Sequence, residues 1–222
     1  NQENNEALRH FNASRPLMNT HQEFIKEYIF SLVLNQKMKK ATHILKREDK
    51  SKTDFFESHL LLIIDGILKK DFTQTEIHLS RLKFFSENGT IRPIIFKSLN
   101  SFEYLFREKK IEKESLTKYE NLNNINQAFQ HCYLKKPNTK NLFYYLLEDP
   151  NNDYSRYSFF YANYLIHEND LLELKYVNNK IDQIRGGLIA LQTRQWIKEK
   201  NYLKINETFN CDNESDILSE FF

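Results

Sequence analysis

Across 222 residues this chain holds only 4 glycines and 4 prolines, and that scarcity constrains its fold more than any other feature. A sandwich or barrel must turn every ~8–12 residues, and tight turns draw on Gly, Pro, Asn and Asp. Asn and Asp are plentiful, but Gly and Pro are too few for a chain made of turns. Doubly wound α/β folds need glycines at their strand-to-helix turns, and those are missing too. Helices need few of either residue, so the expected class is all-α. Hydrophobic residues at 40% and charged residues at 28% allow a packed core and exclude a disordered chain.

Apolar residues recur at helical spacing in successive stripes. Phe24, Ile25, Tyr28, Ile29 and Leu32 form the first, and Phe55, Phe56, His59, Leu60, Ile63, Ile64 and Ile67 the second. Ile91, Ile94, Ile95, Leu99, Phe102 and Phe106 form a third, with Pro93 tolerable in its first turn. Ile125, Ala128, Phe129, Cys132 and Tyr133 form a fourth, and 159–166 and 188–196 continue the series. Between stripes comes a recurrent turn: a polar residue or two, a bulky apolar one, then a polar helix start. Lys37-Met38-Lys39-Lys40-Ala41 and Asp71-Phe72-Thr73-Gln74-Thr75 carry it 34 residues apart. It returns at Lys110-Ile111-Glu112, Asn169-Asp170-Leu171 and Asn201-Tyr202-Leu203. A weaker instance is Lys136-Pro137-Asn138-Thr139, where Thr139 is the expected N-cap. After the second unit the intervals drift between 27 and 39 residues.

These residues resemble the tetratricopeptide-repeat family, in particular long bacterial proteins with divergent repeats. Met38 stands at the family's aromatic turn position and Ala41 at the small position of helix B. Phe72 and Thr75 fill the same places in the second repeat. Later, Leu171 and Tyr202 fill the turn, and Ala162 the small position of a helix A. The sequence departs from the family at Ile29 and Ile63, where helix A ordinarily carries a small residue, and it lacks the proline after helix B in the first two units. The pattern covers residues 20–88 well, 150–206 fairly and 90–148 poorly. The resemblance implies a single α-solenoid over residues 1–222, of about five to six antiparallel hairpins, with helix A lining the concave side. Asn1 is not a methionine and the chain closes on Phe221-Phe222, so the expectation is a stretch of a longer repeat protein.

Little chemistry competes with that reading. His131 and Cys132 point about 100° apart on a helix and cannot serve each other, so Cys132 is read as a core cysteine. Cys132 and Cys211 imply neither a disulfide framework nor a zinc site, a single long-range bridge being the alternative left open. The seven histidines form no HxxxH or HExxH pair and are read as packing or surface residues. Arg185-Gly186-Gly187 lacks the preceding strand and following Lys-Ser/Thr of a phosphate loop. Asp65-Gly66, inside an apolar helix, reads as a tight helix–helix contact. Glu112/Glu114 and Asp149/Asp153 read as solvated loop carboxylates. The aromatic cluster from Phe143 to Tyr164, with Tyr154 within it, reads as inter-repeat core before peptide-gripping patch. The basic run from Lys37 to Lys50 reads as a solvated helix face. Asn12, Asn88, Asn206 and Asn213 begin glycosylation sequons of little weight in so Asn-rich a chain.

No cofactor, metal or catalytic residue is expected, and a net charge of +2 gives no global field for nucleic acid. No run approaches the ~18–20 apolar residues of a membrane span, and no targeting segment assigns the chain to cytoplasm or periplasm. The expected function is a scaffold that binds a protein, as an extended peptide or partner helix, on the concave face. Helix A geometry would aim Glu23, Lys26, Phe30, Arg156, Asn163 and Arg194 into that groove. Self-association through the ends of the stack is a further expectation. A helical-repeat RNA- or nucleotide-binding module is the alternative, and an enzyme on an α/α scaffold ranks last.

Overall fold

A computed structural model describes residues 2–19, 22–87, 90–112, 120–149, 155–183 and 187–221. Among them are 14 α-helices and no strand, so the all-α class stands. The residues divide into two compact units, Asn1–Asn100 and Ser101–Phe222.

The first unit holds α1 (Gln2–Ala13), a 3-10 turn (Arg15–Asn19), α2 (Gln22–Leu34), α3 (Met38–Arg47), α4 (Lys50–Thr53), α5 (Phe56–Leu68) and α6 (Phe72–Phe85). Helix α2 packs on α1, α3 and α4, and α5 on α3 and α6. The first stripe folds as its spacing dictates: Ile25, Tyr28, Ile29 and Leu32 are buried against Leu8, Ala41, Ile44 and Leu61. Buried Tyr28 is not left unsatisfied, since its hydroxyl donates to Asn12 Oδ1 at 2.7 Å. Where α5 meets α6, Gly66 faces Thr75. A Cβ on Gly66 would fall 2.3 Å from Thr75 Oγ1, so the glycine serves a close helix approach, as its place in an apolar helix predicts. Ile63 is fully buried; the small residue that lets these helices meet stands three positions after it.

In the sequence around and beyond the boundary run α7 (Ile91–Glu108), α8 (Glu120–Tyr133), α9 (Thr139–Glu148), α10 (Tyr157–His167), α11 (Leu171–Gln183), α12 (Leu188–Lys198), α13 (Tyr202–Thr208) and α14 (Glu214–Phe221). In the second unit α9 packs on α8 and α10, and α10 also meets α11, α12 and α13. Fully buried Phe129 sits at its centre, edge-on to Phe143 at 5.7 Å, Phe160 at 4.9 Å and Phe209 at 5.8 Å. Phe143, Phe159, Phe160 and Tyr161 are all buried, so this part of the aromatic cluster is core. Tyr144 and Tyr145 face solvent; Tyr154 lies outside the described residues, as do Glu114, Asp153, Arg185, Gly186 and Asn88. Thr139 begins α9 at its first helical position, and Asn138 takes the N-cap place.

One turn recurs through both units. Gln36, Lys70, Lys109, Lys135, Asn169 and Lys200 all have φ between 52 and 58°, the left-handed conformation that glycine ordinarily supplies at a helix C-terminus. Five of the six make both bonds of a Schellman motif. The second hairpin shows the pattern: Asp71 N–H donates to Gly66 O at 2.9 Å and Lys70 N–H to Ile67 O at 2.9 Å. The residue that follows can then cap the next helix. Asp71 accepts from Gln74 N–H, and Asp170 from Glu173 N–H. Five of the six immediately precede a turn read from sequence and Asn169 is the first residue of its own, 34 residues separating Gln36 from Lys70 and Lys135 from Asn169.

Cys132 and Cys211 form a disulfide across 79 residues, with Cα atoms 5.7 Å apart. Cys132 is indeed buried in the core, but its sulfur is bonded and not a free thiol. The fold brings the end of α8 to the segment after α13, a meeting that no sequence spacing announces.

Candidate functional site

Among the described residues, the second unit has an apolar crevice and a polar one. The first, of ≈ 340 Å³, lies along α10 and α12. Helix α10 supplies Phe159 and Phe160, one turn after Arg156, and α12 supplies Leu188, Ile189 and Trp196. Phe159 and Trp196 meet edge-on at 6.3 Å. Leu188 and Ile189 are exposed, Leu188 at 85%. Arg156 closes one end with an ion pair to Glu220 of α14. Such a surface can hold apolar side chains.

The second crevice, of ≈ 400 Å³, is polar and has the disulfide in its wall. Lys135, Lys136, Asn163 and Asp212 also line it. Asn163 is fully buried and donates its amide to Phe209 O at 2.8 Å and Ile205 O at 3.3 Å. Lys135 pairs with Asp212 at 2.7 Å. Nearby, Tyr133 donates to Glu214 Oε1 at 2.7 Å; burial and that carboxylate push its phenol well above the usual range.

In the first unit, histidines 19 residues apart in sequence face each other, His59 Nδ1 lying 3.0 Å from His78 Nδ1. His59 Nε2 meets Asp54 Oδ1 at 2.8 Å, and Arg81 grips the same carboxylate through Nε at 3.0 Å. The Arg81 bond, helped by His59 and outweighing the opposing effect of burial, sets Asp54 below the usual carboxylate range. Burial, reinforced by the His59 charge, depresses His78 to about 4. Asp54 and His78 bond opposite nitrogens of one ring, so the three do not converge on a point, and among the described residues no His/Cys/Asp/Glu group could hold a metal ion. Motif spacing could not have found this network, because its members come from facing helices and not from one turn of helix.

The residues expected to face a groove do not gather at one place. Glu23, Lys26 and Phe30 share a solvent-facing side of α2 at i, i+3, i+7, with Phe30 58% exposed. Arg156 reaches the apolar crevice. Asn163 is in the core, where its amide serves backbone carbonyls rather than a ligand. Arg194 is half-buried on α12, two residues past Gln192 and off the face that lines the crevice. Phe159, Phe160, Leu188 and Trp196 belong to the helix stripes of the sequence, but spacing along the chain does not show that they group, with Ile189, into a crevice. No described helix is long and apolar enough to cross a membrane. No family model, curated protein or solved structure matches this chain.

Proposed function

We propose that the chain is an α-solenoid of divergent tetratricopeptide-like hairpins, and that it acts as a scaffold holding an apolar peptide or partner helix on its first-helix faces. The observation that carries this reading is the crevice between α10 and α12, both of which immediately precede a left-handed turn and so are the first helices of their hairpins. Its wall is aromatic and its edge leaves Leu188 and Ile189 to water, an arrangement that favours an apolar occupant. The recurrent turns support the repeat reading, since after Gln36, Lys70, Asn169 and Lys200 the next helix begins two residues on, the same tight joint four times.

The chain contains one tryptophan, Trp196, and it lines the crevice. Peptides selected on the full chain from a random library should therefore shift its fluorescence as they bind. Ile189→Ser should weaken a selected peptide by about tenfold, the loss of a buried aliphatic contact. Leu172→Ser, at an exposed leucine of α11 away from the crevice, should leave binding unchanged. Selected peptides that leave Trp196 fluorescence unaltered, or bind both variants equally, would sink the reading.

A further inference from the structure

The segment after α13 does not extend away from the unit but lies across α8 and α10. Phe209, 2% exposed, wedges between Phe129 of α8 and Phe160 of α10, with ring centroids 5.8 and 4.8 Å away. Asn163 of α10 fixes its carbonyl. Beyond it, Cys211 is bonded to Cys132 of α8, Glu214 meets Tyr133 and Lys109, and Glu220 meets Arg156. Ile217 and Leu218 are buried. Of these fastenings only one is covalent. The ion pairs are partly exposed and screened by salt, so they hold weakly by themselves. That covalent fastening also stands in the wall of an open polar crevice, both cysteines contributing to the lining beside Lys135 and Lys136.

We propose that Cys132–Cys211 is a reducible latch: a dithiol entering the polar crevice opens the bond, and the 209–221 segment then leaves α8 and α10. The thiolate of the incoming dithiol attacks one sulfur of the bridge, forming a mixed disulfide and expelling the other cysteine as a thiolate. The reductant's second thiol attacks the mixed disulfide and releases the remaining cysteine. Two electrons pass from the dithiol to the protein, its two protons end on Cys132 and Cys211, and it leaves as a cyclic disulfide. Lys135 and Lys136 stand beside the bond, with Asp212 and Glu168 in the same lining, so the crevice offers an incoming thiolate both charges. Released, the segment uncovers Phe160 and the faces of α8 and α10 that carry it. That this uncovered face enlarges a peptide-binding surface rests on the function proposed above; the latch itself does not.

The test uses the full, oxidised chain, with dithiothreitol as the dithiol and no peptide present, so its outcome is separate from that of the binding assay. Native protein should be reduced and should then take two carbamidomethyl groups from iodoacetamide. Amide exchange across 209–221 should rise by about tenfold or more, while α9, α10 and α11 keep their protection. Cys211→Ser should show the same exchange pattern without reductant, and reoxidation of the wild type should restore protection. Three results would overturn the proposal: a bond that dithiothreitol reduces only in denaturant, unchanged exchange across 209–221 after reduction, or loss of protection in α9–α11 together with the segment.

Discussion

Replacing Gly66 with alanine sets two effects of similar size against each other, and the structure decides which wins. Within a helix alanine is favoured over glycine by about 0.8–1 kcal/mol. Against this, the new Cβ would lie 2.3 Å from Thr75 Oγ1, whereas Thr75 Cβ at 3.5 Å and Asp71 O at 3.4 Å are ordinary contacts. The whole conflict therefore rests on one oxygen. That oxygen is held by its 2.9 Å bond to Asp71 O, and Thr75 is fully buried, so it cannot swing aside without giving up a bond worth about 1 kcal/mol. Overpacking of this kind costs about 1–3 kcal/mol, and the net effect of Gly66→Ala is a loss of about 1–2 kcal/mol. Thr75→Ala removes the oxygen and leaves only the ordinary contacts at 3.4 and 3.5 Å. In that background Gly66→Ala should stabilise by about 0.5–1 kcal/mol, a reversal of sign and a coupling of about 2 kcal/mol. The single tryptophan lies in the other unit, so native-state hydrogen exchange of α5 and α6 amides is the appropriate readout. A Gly66→Ala change that is neutral or stabilising in the wild type, or equally costly in both backgrounds, would refute the steric argument.

Three further outcomes are expected. His78 titrates at about 4 in the fold against 6.5 unfolded, so the folded chain binds fewer protons in that window and the first unit loses stability as pH falls from 6.5 towards 4. The full shift corresponds to about 3 kcal/mol, which solvent screening reduces to about 1–2; exchange-derived stabilities of α5 and α6 at pH 7 and 5 should show it, and His78→Asn should flatten the difference. Lys70→Gly should stabilise the second hairpin by about 0.5–1 kcal/mol, because a side chain at φ 58° is replaced by the residue that tolerates it; an unchanged or lowered exchange stability would contradict the turn assignment. Asn163→Ala should cost about 2–3 kcal/mol in thermal or urea unfolding of the second unit, since two buried carbonyls lose their donor, and unchanged stability would show that those bonds contribute little.

The all-α class was legible because glycine and proline scarcity and 3.6-residue periodicity are properties of local chain statistics. Helix starts were legible too: Met38, Phe72, Leu171 and Tyr202 begin helices where the turn grammar places them. The usual helix-stop signal is absent, however, since Gln, Lys and Asn stand where glycine is expected. Only the polar-then-apolar pattern marks those ends. Long-range partnerships were not legible. Cys132 meets Cys211, and His59 meets His78, through packing of separate helices, and neither pair leaves a mark in residue spacing. Asn163 shows the same limit at a proposed site. Position in a repeat aimed it outward, but Phe209 and Ile205 came to lie over it and made it a buried donor.

The two-residue joints also set where this chain can change length. An α-helix advances about 100° per residue, and here the left-handed residue is followed at once by the next helix's N-cap at Asp71 and Asp170. One residue inserted between Lys70 and Asp71 would rotate all of α6 by roughly a quarter turn, carrying Thr75 away from Gly66 and polar positions into the seam. Three or four residues would be needed to bring the stripe back into register. These hairpin joints are therefore intolerant of single insertions, and a scan of one-residue insertions through the gene should lose folded protein at 36–37, 70–71, 169–170 and 200–201 before it does at exposed positions between hairpins.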